Sequence, residues 1–180
     1  FQKIFGQKPT AQNLAAAFSA FEQTLETVDS KFDAWSNDLK KLTAREERGR
    51  QLFLGDKAKC FDCHRMEDFT TDEFKNIGLY NGKELPDAGL FNLTKKEADL
   101  GKFKTPGLRN VAVTAPYMHN GMFKTLEEVL DYYNDPRKFV TDPLNIDETL
   151  KEPLGLTDTE KKDIIAFLKT LTDKKYIRRQ

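Results

Sequence analysis

Two cysteines and a histidine lie within five residues of one another in the first half of the chain. They are Cys60, Cys63 and His64, in the order Cys-Phe-Asp-Cys-His. Thiols three residues apart can add to the two vinyl groups on one edge of a porphyrin, and the imidazole of the next residue can then bind the iron. The spacing therefore predicts one covalently attached haem c, held by Cys60 and Cys63, with His64 as an axial iron ligand.

A Cys-x-x-Cys pair can also form a disulfide, a redox-active dithiol or half of a zinc site. Zinc would need two more soft ligands, and the chain has no further cysteine and one other histidine, His119. A redox dithiol is typical of a strand-to-helix turn, whereas the preceding residues 43–60 have the pattern of a charged helix. Haem attachment fits the motif better than these three uses.

The surrounding sequence predicts helices joined by irregular structure. Residues 11–28 carry apolar side chains at steps of three and four, which predicts an amphipathic helix. Capping boxes are predicted to begin helices at Thr125 and Thr157, the first of which ends at Asn134. Residues 65–105 contain several glycines and no sustained periodicity, so loops and short turns are expected there. No strand is predicted.

We therefore expect one all-α domain over residues 1–180, a cytochrome c-like fold whose long loops wrap a single haem.

The charges balance, with 29 basic and 29 acidic side chains, so nothing draws the chain to nucleic acid or anionic lipid. Apolar runs fall short of the about 18 residues of a membrane span. Because bacteria attach haem c outside the cytoplasm, we expect an exported, periplasmic protein, with Phe1 either a processed N-terminus or the start of a fragment.

A longer motif occupies residues 103–134. It runs Phe-Lys-x-Pro-x-Leu-Arg-Asn, then Thr-Ala-Pro-Tyr-x-His-x-Gly, then the start of a Thr-Leu-Glu-Glu helix. In this order the motif resembles the di-haem cytochrome c peroxidase and MauG family. The resemblance extends upstream through residues 69–79 and the haem motif to residues 15–35, and it matches the C-terminal haem domain of that family.

The resemblance implies an oxidoreductase in which this domain handles electrons. Family members carry two haem motifs and this chain has one, so we expect it to be part of a longer protein with an N-terminal haem domain that cleaves hydrogen peroxide. A small cytochrome c or a copper protein would donate the electrons, and homodimers are common in the family. The alternative is a free-standing, single-haem electron-transfer cytochrome c.

The ligand that binds iron opposite His64 must come from far along the chain. Met66 lies only two residues beyond His64 and is expected on the same side of the ring. The residues themselves leave open four candidates, Met118, His119, Met122 and Tyr133.

Tyr133 is the candidate that the family resemblance favours. The peroxidase branch has a methionine fourteen positions after the histidine of its Pro-Tyr-x-His motif, and the MauG-like branch has a tyrosine there, which is Tyr133 in this chain. Tyr133 also continues the helical spacing of Leu126, Val129 and Leu130, which predicts an inward-facing side chain. An anionic phenolate favours ferric iron and lowers its potential, so this ligand would favour higher oxidation states over simple electron relay.

Other side chains are expected to hold the edges of the haem. The guanidinium of Arg109 is a natural bidentate partner for a haem propionate, and Lys104 is a second candidate that a solvated surface charge would explain as well. We expect a structural role for His119. The resemblance further implies a calcium ion bound by the carbonyls of Thr114 and Pro116 together with an asparagine of the N-terminal domain, which leaves calcium open for this chain.

Overall fold

Helices dominate the computed structural model, which describes residues 1–65 and 67–177. Two antiparallel two-residue strands pair Phe74 with Lys104 and Lys75 with Phe103. The mostly helical class is thus confirmed, and the expectation of no strand is corrected. The elements of the described chain are the helices α1 (Gln2–Phe5), α2 (Ala11–Glu22), α3 (Lys31–Ser36), α4 (Ala44–Leu54), α5 (Cys60–Cys63), α6 (Phe91–Thr94), α7 (Leu126–Asn134) and α8 (Asp158–Lys169), the strands β1 (Phe74–Lys75) and β2 (Phe103–Lys104), and 3₁₀ turns at Glu97–Asp99, Val111–Val113, Pro136–Lys138, Glu148–Leu150 and Lys174–Tyr176.

The two predicted capping boxes are both formed. The Thr125 hydroxyl accepts the Glu128 N–H at 3.2 Å, and the Glu128 carboxylate accepts the Thr125 N–H at 2.9 Å. Thr157 and Glu160 make the same exchange at 3.3 and 2.8 Å. Since each box satisfies backbone donors that a helix N-terminus leaves unpaired, it fixes where α7 and α8 begin.

Helices α4 and α8 cross at Gly49. A methyl group on Gly49 would lie 1.9 Å from the carbonyl oxygen of Asp163, so only glycine allows this approach. The Asp163 carboxylate accepts hydrogen bonds from Arg45 Nε at 3.2 Å and Arg48 Nε at 2.8 Å. The bond from Arg48 is the main cause that holds the pKa of Asp163 below its usual value, and it keeps a charge pair at the edge of the crossing.

The core beside this crossing is mainly aromatic and aliphatic. Phe53 of α4 and Phe167 of α8 are both almost fully buried, with ring centroids 5.3 Å apart. The large apolar side chains of α8 and of the segment just after it are buried as well: Ile164, Ile165, Phe167, Leu168 and Leu171. The α4–α8 pair is therefore the main packed unit of the chain.

The first predicted helix is shorter and less buried than expected. It ends at Glu22 rather than Val28, because the N–H groups of Val28 and Asp29 both donate to the Asp173 carboxylate at 3.2 Å. That contact draws the chain away from helical geometry towards the C-terminus. The apolar face of α2 stays exposed, by 58% at Phe18 and 60% at Phe21.

The loop-rich middle of the chain is confirmed, and one buried amide organises it. The Asn76 side chain donates to the carbonyls of Leu100 and Leu144, at 2.8 and 3.0 Å, and accepts the Gly78 N–H at 2.8 Å. A single side chain thereby replaces the backbone ladder that a longer sheet would supply. In the described part of the chain, none of the helices has the length and apolar character needed to cross a membrane.

We predict that Gly49→Ala lowers the free energy of unfolding by about 1–3 kcal/mol, because the added methyl group forces α4 and α8 apart. This overpacking outweighs the helix propensity that alanine gains over glycine, about 1 kcal/mol. Chemical denaturation followed by circular dichroism measures the change. Gln51→Ala, on the exposed side of the same helix, is the control and should stay within about 0.5 kcal/mol of the parent. A Gly49→Ala protein as stable as the control would contradict the close crossing.

Candidate haem site

An apolar cavity of about 440 Å³ lies beside the Cys-x-x-Cys-His motif. Residues of α7, α8 and the loop between them supply part of its hydrophobic surface, and residues before α7 supply the rest. Its lining includes Cys60, Cys63, His64, Ile77, Leu79, Pro106, Leu108, Leu126, Val129, Leu130, Tyr133, Leu150, Leu154, Leu156, Ile164 and Leu168. The three motif residues and Tyr133, far apart in sequence, thus border one cavity.

Both cysteines are free thiols at this cavity. They begin and end α5, a single helical turn that follows Lys59 in the left-handed conformation, with φ 56°. Burial raises the pKa of Cys60 to about 12 and raises that of Cys63 in the same direction. Both thiols are therefore protonated, and the two sulfur atoms border the cavity.

His64 is prepared to bind a metal through one nitrogen. Its Nδ1–H donates to the carbonyl oxygen of Phe69 at 2.9 Å, which leaves the lone pair on Nε2. Burial lowers the pKa of the imidazole, so the ring is neutral. A neutral imidazole whose second nitrogen is held by a carbonyl is the usual state of a metal-binding histidine.

Helix α7 presents the face that its spacing predicts. Leu126, Val129, Leu130 and Tyr133 all line the cavity. Within the described residues the Tyr133 hydroxyl has no hydrogen-bond partner, whereas the neighbouring Tyr132 donates to the Ile77 carbonyl at 2.7 Å. Tyr132 is thus the ordinary core tyrosine of this helix. Burial raises the pKa of Tyr133, so in the absence of a cation its phenol is protonated.

The other ligand candidates lie in different settings. Met118 lines the cavity, but Met122 does not and is 37% exposed. His119 also lines the cavity, stacked on Phe103 with ring centroids 3.8 Å apart, and its Nε2 lies 3.5 Å from a carboxylate oxygen of Asp87. Met66, expected on the His64 side, lies outside the described residues.

The structure gives Arg109 partners within the protein and does not bring it to the cavity. Its Nη1 lies 2.9 Å from Asp33, and its Nε lies 3.0 Å from Asp68 and 3.1 Å from the Glu67 carbonyl. The expected contact with a haem propionate stays a prediction. In the structure, the guanidinium ties α3 to the backbone that leads into Phe69.

Lysines are the cations that the structure places at the cavity. Lys59, Lys75 and Lys104 line it. Lys75 lies 3.5 Å from Asp147, and Lys104 pairs with the exposed Asp72. Sequence reasoning missed Lys59 and Lys75. The short pairing of β1 with β2 places Lys75 beside Phe103, and two-residue strands leave no periodic signal that would have revealed it.

The lining residues fit a haem c. Two neutral thiols, one correctly protonated imidazole and an extended apolar wall are the groups that such a cofactor requires, and the Tyr133 hydroxyl lacks a protein partner. No group of three or more His, Cys, Asp or Glu side chains is placed to hold a metal ion in residues 1–65 and 67–177. Calcium at the Thr114 and Pro116 carbonyls therefore stays a prediction.

Comparison with known proteins gives a consistent result, although no protein-family model matches the chain. Cytochrome-c peroxidase IdrP1 of Denitromonas iodatirespirans is 33% identical, over 96% of this chain and 53% of that protein. Methylamine utilization protein MauG of Methylorubrum extorquens is 35% identical, over 95% of this chain and 48% of that protein. The crystal structure of a MauG-like protein associated with microbial copper homeostasis superposes with a TM-score of 0.76 at 38% identity, over 88% of this chain and 52% of the other.

The length of these matches is informative as well as their identity. The chain spans about half the length of the curated relatives it matches, while almost all of the chain is aligned. The chain is thus a homologue of the di-haem cytochrome c peroxidase and MauG proteins, and the part it matches fits their C-terminal haem domain.

Proposed function

We propose that residues 1–180 form the haem c domain of a periplasmic, peroxidase-like or MauG-like oxidoreductase. Cys60 and Cys63 would hold one haem by thioether bonds, and His64 and Tyr133 would bind its iron. The observation that carries the proposal is the cavity itself. Two free thiols, a neutral imidazole with Nε2 available and a phenol without a protein partner all border one apolar space.

The bound haem would supply the one-electron redox chemistry, and the residues of this chain set its conditions. His64, held by the Phe69 carbonyl, is a neutral donor of fixed orientation. The leucines and Ile164 exclude water from the ring, which strengthens every electrostatic effect inside the cavity. A ferric iron would bring the positive charge that stabilises the Tyr133 phenolate, against the effect of burial on the free phenol.

The relatives support a wider proposal for the whole protein. Reduction of hydrogen peroxide to two molecules of water consumes two electrons and two protons, whereas one haem passes one electron between its ferrous and ferric states. We therefore assign this domain to electron handling beside an N-terminal haem domain, fed by a small cytochrome c or a copper protein. The alternative, a free-standing electron carrier, is not favoured by relatives that are named as peroxidases and MauG proteins.

Covalent attachment is tested by single replacement of each cysteine. Cys60→Ala and Cys63→Ala should each leave one thioether at most, because one vinyl group then stays unsaturated. The pyridine haemochrome band shifts to longer wavelength when a vinyl group is retained, and the intact mass shows whether haem is still bound. A parent chain with the mass of the polypeptide alone would refute the haem assignment.

The sixth ligand is tested with two neighbouring tyrosines. Tyr133→Phe removes only the oxygen, so the ferric spectrum should change, any phenolate-to-iron charge-transfer band should disappear and the potential should rise. Tyr132→Phe is the matched control. It breaks the bond to Ile77 and should cost about 1–2 kcal/mol of stability while it leaves the spectrum unchanged.

Contrary results would point to a thioether ligand. If Tyr133→Phe keeps the parent spectrum and Met118→Leu abolishes a near-infrared methionine-to-iron band, Met118 binds the iron. Met122→Leu serves as the control for a methionine outside the cavity. The domain would then be a high-potential electron relay.

The 180-residue chain should turn over hydrogen peroxide poorly, measured as oxidation of a reduced donor cytochrome. Cleavage of the O–O bond needs an open iron site and a positioned acid–base group, and both axial positions of this haem are assigned to protein ligands. Opening the sixth position with Tyr133→Phe should not restore turnover if the acid–base group lies in the other domain. Rapid turnover by the parent chain would show that the active site lies here.

A further inference from the structure

Phe69 has an unusual backbone conformation for a bulky, buried residue. Its φ is +57°, in the left-handed region that side chains other than glycine, asparagine and aspartate rarely adopt. Its side chain is 6% exposed. The carbonyl oxygen of this same residue accepts the Nδ1–H of His64 at 2.9 Å. The strained residue thus supplies the hydrogen bond that orients the imidazole, and the Pro106 backbone is a second, smaller contact of the same ring.

We propose that Phe69 is a positioning residue for His64: its packed ring holds the backbone in the left-handed conformation that directs the carbonyl at Nδ1. The inference rests on the proposed function, in which His64 binds haem iron. It concerns how strongly that ligand binds and how it is oriented.

Three aromatic rings surround the Phe69 ring. Its centroid lies 5.1 Å from that of Phe32, 5.9 Å from Phe53 and 6.2 Å from Phe167, in edge-to-face arrangements. Edge-to-face contacts stabilise a ring beyond its simple burial, and here they offset the strain of the left-handed backbone. Because Phe53 belongs to α4 and Phe167 to α8, the main helix pair holds the axial ligand in place.

Hydrogen bonds fix the backbone on both sides of Phe69. The Asp68 carbonyl accepts the Leu108 N–H at 3.2 Å, and Thr71 N–H donates to the Cys63 carbonyl at 3.0 Å. Arg109 binds the Asp68 carboxylate as well, at 3.0 Å. The peptide planes before Phe69 and after residue 70 are thus held in place. A change in φ of Phe69 therefore turns the peptide plane between residues 69 and 70, which carries the Phe69 carbonyl.

The hydrogen bond has a direct chemical consequence for the ligand. A carbonyl that accepts from Nδ1 gives the imidazole partial imidazolate character and makes Nε2 a stronger donor. A stronger donor favours ferric iron and strengthens the bond from Nε2 to the metal. Turning the Phe69 carbonyl away should therefore raise the potential and weaken the His64–iron bond.

Two substitutions at position 69 separate backbone position from packing. Phe69→Leu keeps much of the apolar volume but loses the edge-to-face ring contacts that offset the strain of the left-handed conformation. Phe69→Gly loses the ring, but it adopts φ near +57° without strain. We expect Phe69→Leu to be the more stable protein, yet to have the larger rise in midpoint potential and the larger fall in the iron–histidine stretching frequency of the ferrous carbon monoxide photoproduct. Phe69→Gly should be less stable and closer to the parent in both ligand signals.

Val140→Ala is the control, since it removes buried apolar volume outside the cluster that contains Phe69 and away from the cavity. It should lower stability and leave the potential and the stretching frequency at their parent values. If Phe69→Gly fails to fold, the comparison of Phe69→Leu with Val140→Ala tests the proposal. The proposal would be overturned if the midpoint potential and the stretching frequency changed in proportion to the loss of stability in every variant. It would also be overturned if both stayed at the parent values in Phe69→Leu.

Failure of the haem assignment is distinguishable from failure of this inference. All proteins are first checked for covalent haem. If the parent carries none, the proposed function fails, and ¹⁵N chemical shifts of the His64 ring report the tautomer directly. Protonation at Nδ1 alone in the parent and in Phe69→Gly, with mixed tautomers in Phe69→Leu, would still support the positioning role. The same tautomer in all three would overturn it.

Discussion

The close crossing of α4 and α8 at Gly49 is the constraint on which the rest of the structure depends. With the backbones in contact there, α4 leads directly to the turn that carries Cys60, and α8 turns Ile164 and Leu168 towards the cavity. The two helices are separated by more than a hundred residues. The segment between them therefore has both ends fixed. Its loops, its short elements and α7 need only fold over the cavity beside the helix pair.

The cavity is bordered by neutral side chains that would hold the cofactor and by a lysine that is paired with a carboxylate. Burial lowers the pKa of His64 and raises the pKa values of Cys60 and Tyr133, so each of these groups is uncharged before any metal binds. An unpaired charge in such a space would be costly, and Lys75, which lines the cavity, lies 3.5 Å from Asp147. Iron would then be the dominant charge inside.

Local chemistry explains which features could be predicted from the sequence. The capping boxes at Thr125 and Thr157 involve residues three apart, and the inward face of α7 follows from a period of 3.6 residues. Other features depend on contacts between distant segments. Arg109 meets Asp33 across 76 residues, and the apolar side of α2 has the pattern of a buried face but is exposed. Neither the left-handed conformation of Phe69 nor its bond to His64 leaves a sequence signal.

The adjacent tyrosines of α7 have different roles, which bears on how the residue that faces the cavity can change during evolution. Tyr132 is fully buried and bonded to Ile77, so it sets the rotation of the helix whatever residue follows it. Position 133 packs against Tyr132, with ring centroids 5.8 Å apart, but its hydroxyl makes no hydrogen bond within the described residues, so its side chain can be exchanged for another of similar reach. Under the proposed function, a single codon change there would convert one kind of iron centre into another within the same scaffold, which makes this position a natural point for evolutionary branching and for redesign.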